Sequence, residues 1–158
     1  MKKILNYIDG KLVEPKAGQW LDNYNPSNGQ VYSLIPDSDA NDVDNAVKAA
    51  QEAQEGWAKS TRKERSDFML KIARGIEARL DEFALAETTD NGKPLWLSKS
   101  VDIPRGISNF EFFATAILHE HTEAHKTDET AINYTYEKPV GLAGCISPWN
   151  LPIYLFTW

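Results

Sequence analysis

The sequence predicts an α/β fold, and three observations carry that reading. Two strand-turn-strand patterns precede Asp37, three or four amphipathic helical stripes follow, and the apolar run Val140 to Ile146 leads into a turn rich in proline. Nothing in that run alternates, which is the pattern of a strand covered on both faces.

The first hairpin pairs Ile4 to Ile8 with Lys11 to Val13 across Asp9-Gly10, a two-residue turn that suits positive φ. The second places Asn25-Pro-Ser-Asn-Gly29 between Trp20 to Tyr24 and Gln30 to Ile35. A first helix begins at Ser38 or Asp39 as cap, with Val43, Ala46, Val47, Ala50, Ala53 and Trp57 as its core stripe. Thr61-Arg-Lys-Glu64 is a capping-box pattern, and Met69, Ile72, Ala73, Ile76 and Leu80 form the buried stripe behind it. A third, shorter helix runs from about Asp81 to Asn91, where Gly92 supplies a left-handed cap and Pro94 stands beyond.

Leu95 to about His119 is helical again, with Ile103, Ile107, Phe110, Phe113, Ala114 and Ile117 on one face. Pro104 interrupts it, so either the helix kinks or a new one starts with Asp102 as cap. By pattern alone Arg105 is a solvated helix arginine. His119, His121 and His125 lie in a polar segment without His-Glu-x-x-His spacing, so no metal site is assigned. Thr130 to Glu137 alternates, with Ile132, Tyr134 and Tyr136 on one face, and with the preceding segment it suggests a projecting antiparallel hairpin.

Past Ile146 the chain turns hard. Pro148 and Pro152 fix their own φ and push Ser147 and Leu151 toward extended backbone, which leaves Trp149 and Asn150 little freedom. Ile153, Tyr154 and Phe156 to Trp158 then resume at helical spacing. Strand, elbow and helix start is the arrangement at which open α/β sheets bind ligands. Two readings of Asn150 stand side by side: a cap for the helix at Pro152, or an amide donor held for a developing oxyanion.

A formal net charge of -6, with no Lys/Arg cluster, argues against nucleic acid and anionic membrane as partners. No stretch has the length of a membrane span, and Met1 to Asn6 lacks a signal-peptide core. A single cysteine excludes an internal disulfide, so a cytoplasmic location is expected. That cysteine, Cys145, sits inside the apolar run and is read as a buried, inert thiol. Gly141-Leu-Ala-Gly144 lacks the Gly-x-Gly-x-x-Gly spacing of a dinucleotide fingerprint.

The segment Gly141-Leu-Ala-Gly-Cys-Ile-Ser-Pro-Trp-Asn-Leu-Pro152 resembles the Pro-Trp-Asn region of the aldehyde dehydrogenase superfamily. The two hairpin turns resemble that family's opening strands. The resemblance implies the front of such an enzyme, truncated. Residues 1–118 would be strands and helices of the cofactor-binding domain, 119–138 an oligomerisation hairpin, and 139–158 the first strand and elbow of a Rossmann-like sheet. It implies that Asn150 stabilises the oxyanion formed when a catalytic cysteine attacks an aldehyde. Ile146, Ser147, Pro148 and Trp149 would pass beside the nicotinamide of NAD or NADP. Val101 to Phe113 is similar to the branch acting on hydroxymuconic and aminomuconic semialdehydes, which implies that Arg105, with Leu151 and Trp158, lines the substrate tunnel and pairs with a distal carboxylate. The cysteine nucleophile, the water-activating glutamate and the phosphate-binding residues of the family have no counterpart here. The expectation is therefore an aldehyde oxidation by the complete, homo-oligomeric enzyme and, for the chain on its own, no activity and no tight binding of NAD or NADP. The alternatives are a non-catalytic interaction protein that self-associates or binds full-length subunits, and a stand-alone nucleotide-binding module.

Overall fold

Turn chemistry organises the first forty residues of the computed structural model, which describes residues 1–158. Asp9 and Gly10 both take positive φ, 53° and 71°, and close an antiparallel pair of β2 (Asn6–Ile8) with β3 (Lys11–Val13). Gly29, at φ 69°, helps turn β4 (Trp20–Asn25) into β5 (Gln30–Pro36). Both predicted hairpins are present. The sequence pattern missed β1 (Lys2–Lys3), which joins β5 in parallel and makes a three-stranded sheet of order β1-β5-β4.

Helix α1 (Ala40–Ala58) begins at Asp39, whose carboxylate accepts the N–H groups of Asn41 and Asp42 in a full capping box. Its apolar stripe is not core. Val43, Val47 and Trp57 are exposed, and what the helix meets is sparse: β2, and Phe68, against which Trp57 stands edge-on at 5.8 Å. Helix α2 (Arg62–Glu77) starts with the predicted Thr61–Glu64 capping box, and α3 (Leu80–Asn91) ends at Gly92 in the left-handed conformation, φ 77°. A Cβ on Gly92 would lie 2.9 Å from Pro26 Cγ, so the β4–β5 turn packs directly on the end of α3.

Pro104 does not start a helix capped by the Asp102 side chain: Asp102 is itself helical and makes no capping bond. A short α4 (Leu95–Leu97) passes into a π-helical turn over Ser98–Asp102 and on into α5 (Ile103–His119), all with helical dihedrals. The Ile103 N–H reaches back to the Ser98 carbonyl. A widened turn of this kind makes room for a proline ring that would collide with the carbonyl four residues earlier. The core lies where α2, α3 and α5 meet: Ala73, Ile76, Ala84, Ile103 and Ile107, flanked by Leu80, Phe83, Phe110 and Ile153.

Beyond α5 the predicted hairpin forms, β6 (Ala124–Lys126) against β7 (Ile132–Tyr134), and every residue of it is exposed. The predicted buried strand Val140 to Ile146 does not form. The run has no pairing partner and lies uncovered, with Val140 103% and Ile146 99% exposed, so Cys145 is exposed as well. Small apolar residues become a strand only where another strand accepts their hydrogen bonds, and none of the chain's strands lies alongside.

Candidate active site

The elbow ends in α6 (Pro152–Phe156), which lies on α5 and brings Ile153 into the core. The seam is close. Ile153 side-chain carbons approach 3.6 Å from where a Cβ would stand on Gly106. At the far end, the buried Asn109 donates from Nδ2 to Thr157 Oγ1 at 2.9 Å, and Thr157 Oγ1 donates to the Tyr154 carbonyl at 2.7 Å.

Ser147, Pro148 and Trp149 line an open groove of about 1060 Å³ together with Pro152, Ile153 and Phe156. Its other wall is mostly apolar, with Ile72, Ile76, Phe83 and Phe110. Ile146 stands outside that groove, fully exposed. Asn150 is exposed and does not cap α6: the N-cap position is Leu151, and no side chain from the elbow bonds to the helix start. Leu151 is half-buried.

Arg105 is exposed, its guanidinium carbon 5.7 Å from the centre of the Tyr154 ring. It takes part in none of the chain's ten ion pairs. Trp158 packs 6.1 Å from Tyr154 and 6.5 Å from Phe113, centre to centre. Tyr154 thus stands between Arg105 and Trp158, a connection the sequence pattern did not reveal.

Also unforeseen is a buried charged cluster behind the elbow. Lys93 Nζ is 2.7 Å from Glu87 Oε1 and bonds Asp102 Oδ2 as well, and both carboxylates are 3% exposed. Burial raises the Glu87 pKa most, against the opposing pull of the Lys93 bond and charge. Their signal in the sequence is slight: Glu87 follows the buried Ala84 at helical spacing, and Asp102 immediately precedes the buried Ile103. No three His, Cys, Asp or Glu residues stand together so as to hold a metal ion.

A strand-less elbow on a helical core does not name a family by itself; the sequence as a whole does. Residues 12–158 match the model of the aldehyde dehydrogenase family. The chain belongs to that family. Among curated aldehyde dehydrogenases it is 47% identical to the 2-aminomuconic semialdehyde dehydrogenase of Danio rerio over 97% of this chain and 31% of that protein. It is 42% identical to the 2-hydroxymuconic semialdehyde dehydrogenase of Pseudomonas sp. (strain CF600), over 100% of this chain and 34% of that protein. The crystal structure of PnpE in complex with nicotinamide adenine dinucleotide superimposes with a TM-score of 0.93 at 34% identity, covering 100% of this chain and 32% of that one. The chain spans about a third of the length of these aldehyde dehydrogenases.

Proposed function

We propose that these residues form the elbow side of the active site of an NAD(P)-dependent aldehyde dehydrogenase acting on a muconic-type semialdehyde. The observation that carries the reading is Arg105, a guanidinium without a carboxylate partner, held over Tyr154 on the helix against which the elbow packs. A planar fork of donors suits a second carboxylate at the far end of the substrate, and lysine cannot copy it. The similarity to semialdehyde dehydrogenases of both the aminomuconic and hydroxymuconic kinds supports the same choice.

Asn150 is the proposed oxyanion donor. Its amide is exposed and is not used to cap α6, and a neutral amide offers a fixed dipole without a titrating group. Leu151 and Trp158 complete the proposed substrate wall beside Arg105. Ile146, Ser147, Pro148 and Trp149 are the proposed contacts for the nicotinamide end of NAD or NADP, which accepts the hydride. Ser147 to Trp149 fit that limited task, since they line the open groove, but the chain has no glycine-rich cradle for a pyrophosphate. The proposed setting is cytoplasmic, with homo-oligomer contacts through residues 119–138; no helix is long and apolar enough to cross a membrane.

The test compares kcat/KM for a carboxylated semialdehyde and its neutral analogue in the complete enzyme carrying these residues. Arg105→Ala is expected to lower the first selectively, by about 1.5–3 kcal/mol, the scale of a charge-assisted hydrogen bond. Equal losses on both substrates, or none, would remove the muconic assignment. A second reading, a non-catalytic interaction protein, draws on the wholly exposed hairpin 119–138 and on the lack of any cysteine besides Cys145. The purified 158 residues are accordingly expected to form no NADH from NAD and aldehyde.

A further inference from the structure

Helix α6 starts without a local cap. Pro152 has no N–H, so the first free donor of the helix is the Ile153 N–H, and the N-cap residue, Leu151, has no acceptor in its side chain. The acceptor comes from another helix. Glu87 Oε2, on α3, lies 3.4 Å from the Ile153 nitrogen, while Glu87 Oε1 lies 2.7 Å from Lys93 Nζ.

Charge balance makes this arrangement notable. Lys93 is one ammonium facing two carboxylates, and Asp102 alone would neutralise it. A second carboxylate at 3% exposure adds an uncompensated charge to a dry site, which is costly unless its other oxygen meets a donor. Ile153 provides that donor, so the start of α6 is satisfied without drawing on the Asn150 side chain two residues before it.

We propose that Glu87 is a positioning residue: by accepting the Ile153 N–H from across the core, it anchors the elbow and leaves the Asn150 amide free for the substrate. The second half rests on the reading of Asn150 given above. Glu87 touches no reacting atom. It acts through the start of α6, much as Asn109 holds the other end through Thr157.

Amide hydrogen exchange followed by NMR in the 158-residue chain tests the anchor. In Glu87→Ala the Ile153 amide is expected to exchange faster by on the order of 10- to 100-fold, the worth of a hydrogen bond to a charged acceptor. The amides of Ala73 and Ile107, in the core, should keep their rates, and Glu87→Gln, which retains an acceptor oxygen, should recover most of the protection at Ile153. An unchanged Ile153, or one that accelerates in step with Ala73 and Ile107, overturns the proposal; should the alanine variant not fold, the glutamine variant alone must still protect Ile153. Kinetics in the complete enzyme separate the two halves. Glu87→Ala should lower kcat with little change in KM and add nothing on top of Asn150→Ala, whereas additive losses refute action through Asn150. If Asn150→Ala leaves kcat intact, the oxyanion reading fails, and exchange at Ile153 still decides whether Glu87 anchors the elbow.

Discussion

Lys93 has an unequal task, since its single ammonium serves two buried carboxylates. Burial works against the ammonium, but the hydrogen bonds to Asp102 and Glu87 and the charges of both prevail, and its pKa lies above the usual 10.5. A raised pKa in the folded state means stability that is complete below 10.5 and is lost as pH rises through the folded value. Glu87, also raised, contributes in the same sense at the acid end: its share is present below 4.5 and lost as pH climbs through its folded value. The thermal midpoint should therefore drop on the alkaline side of 10.5, measured by circular dichroism. Lys93→Met should cost about 3–5 kcal/mol already near neutral pH, because it strands two carboxylates, and should flatten the alkaline drop. An alkaline profile identical in the two proteins would show that Lys93 does not govern it.

At the scale of elements, the end of α3 gives a sharp contrast between two glycines. Gly92 has φ 77° and Pro26 Cγ 2.9 Å from where a Cβ would stand, so Gly92→Ala should destabilise by about 1–2 kcal/mol from backbone alone, with the clash added. Gly75, inside α2, has nothing within 4 Å of that position, and Gly75→Ala should stabilise by roughly 0.5–1 kcal/mol. Urea midpoints read both, and opposite signs are the expected result. Elements closed by neighbours in sequence were legible: Asp9-Gly10, the caps at Asp39 and Thr61, and the stop at Gly92 each depend on a few adjacent residues. Elements closed by distant partners were not. Val140 to Ile146 has a strand's composition but no strand beside it, the α1 stripe has a core's pattern but stays largely exposed, and Lys2 and Lys3 pair with β5 for reasons no local pattern carries. The site divided the same way. Pro148 and Pro152 mark the elbow in the sequence, while Glu87 capping Ile153 and Tyr154 lying under Arg105 are contacts across the fold.

The molecule as a whole exposes 11567 Å², against about 8,000 Å² for a compact monomer of its mass, and buries 16 of its 158 residues. Much of the excess is apolar: the groove beside the elbow, the α1 face, and Ile132, Tyr134 and Tyr136 on the hairpin. Surfaces of this kind are usually covered by another chain. The purified chain is expected to run above its monomer mass in light scattering and to bind a hydrophobic dye; a dye-silent monomer at high concentration would contradict this. The same excess area changes how the protein should come apart. Denaturant sensitivity and the heat capacity of unfolding both scale with surface newly wetted, and here that surface is smaller by about a fifth than for a compact chain of equal mass. For the monomer the urea transition should therefore be correspondingly shallow and the stability curve flat, and a calorimetric enthalpy equal to the van't Hoff value would show that a broad melt reports how little there is to expose.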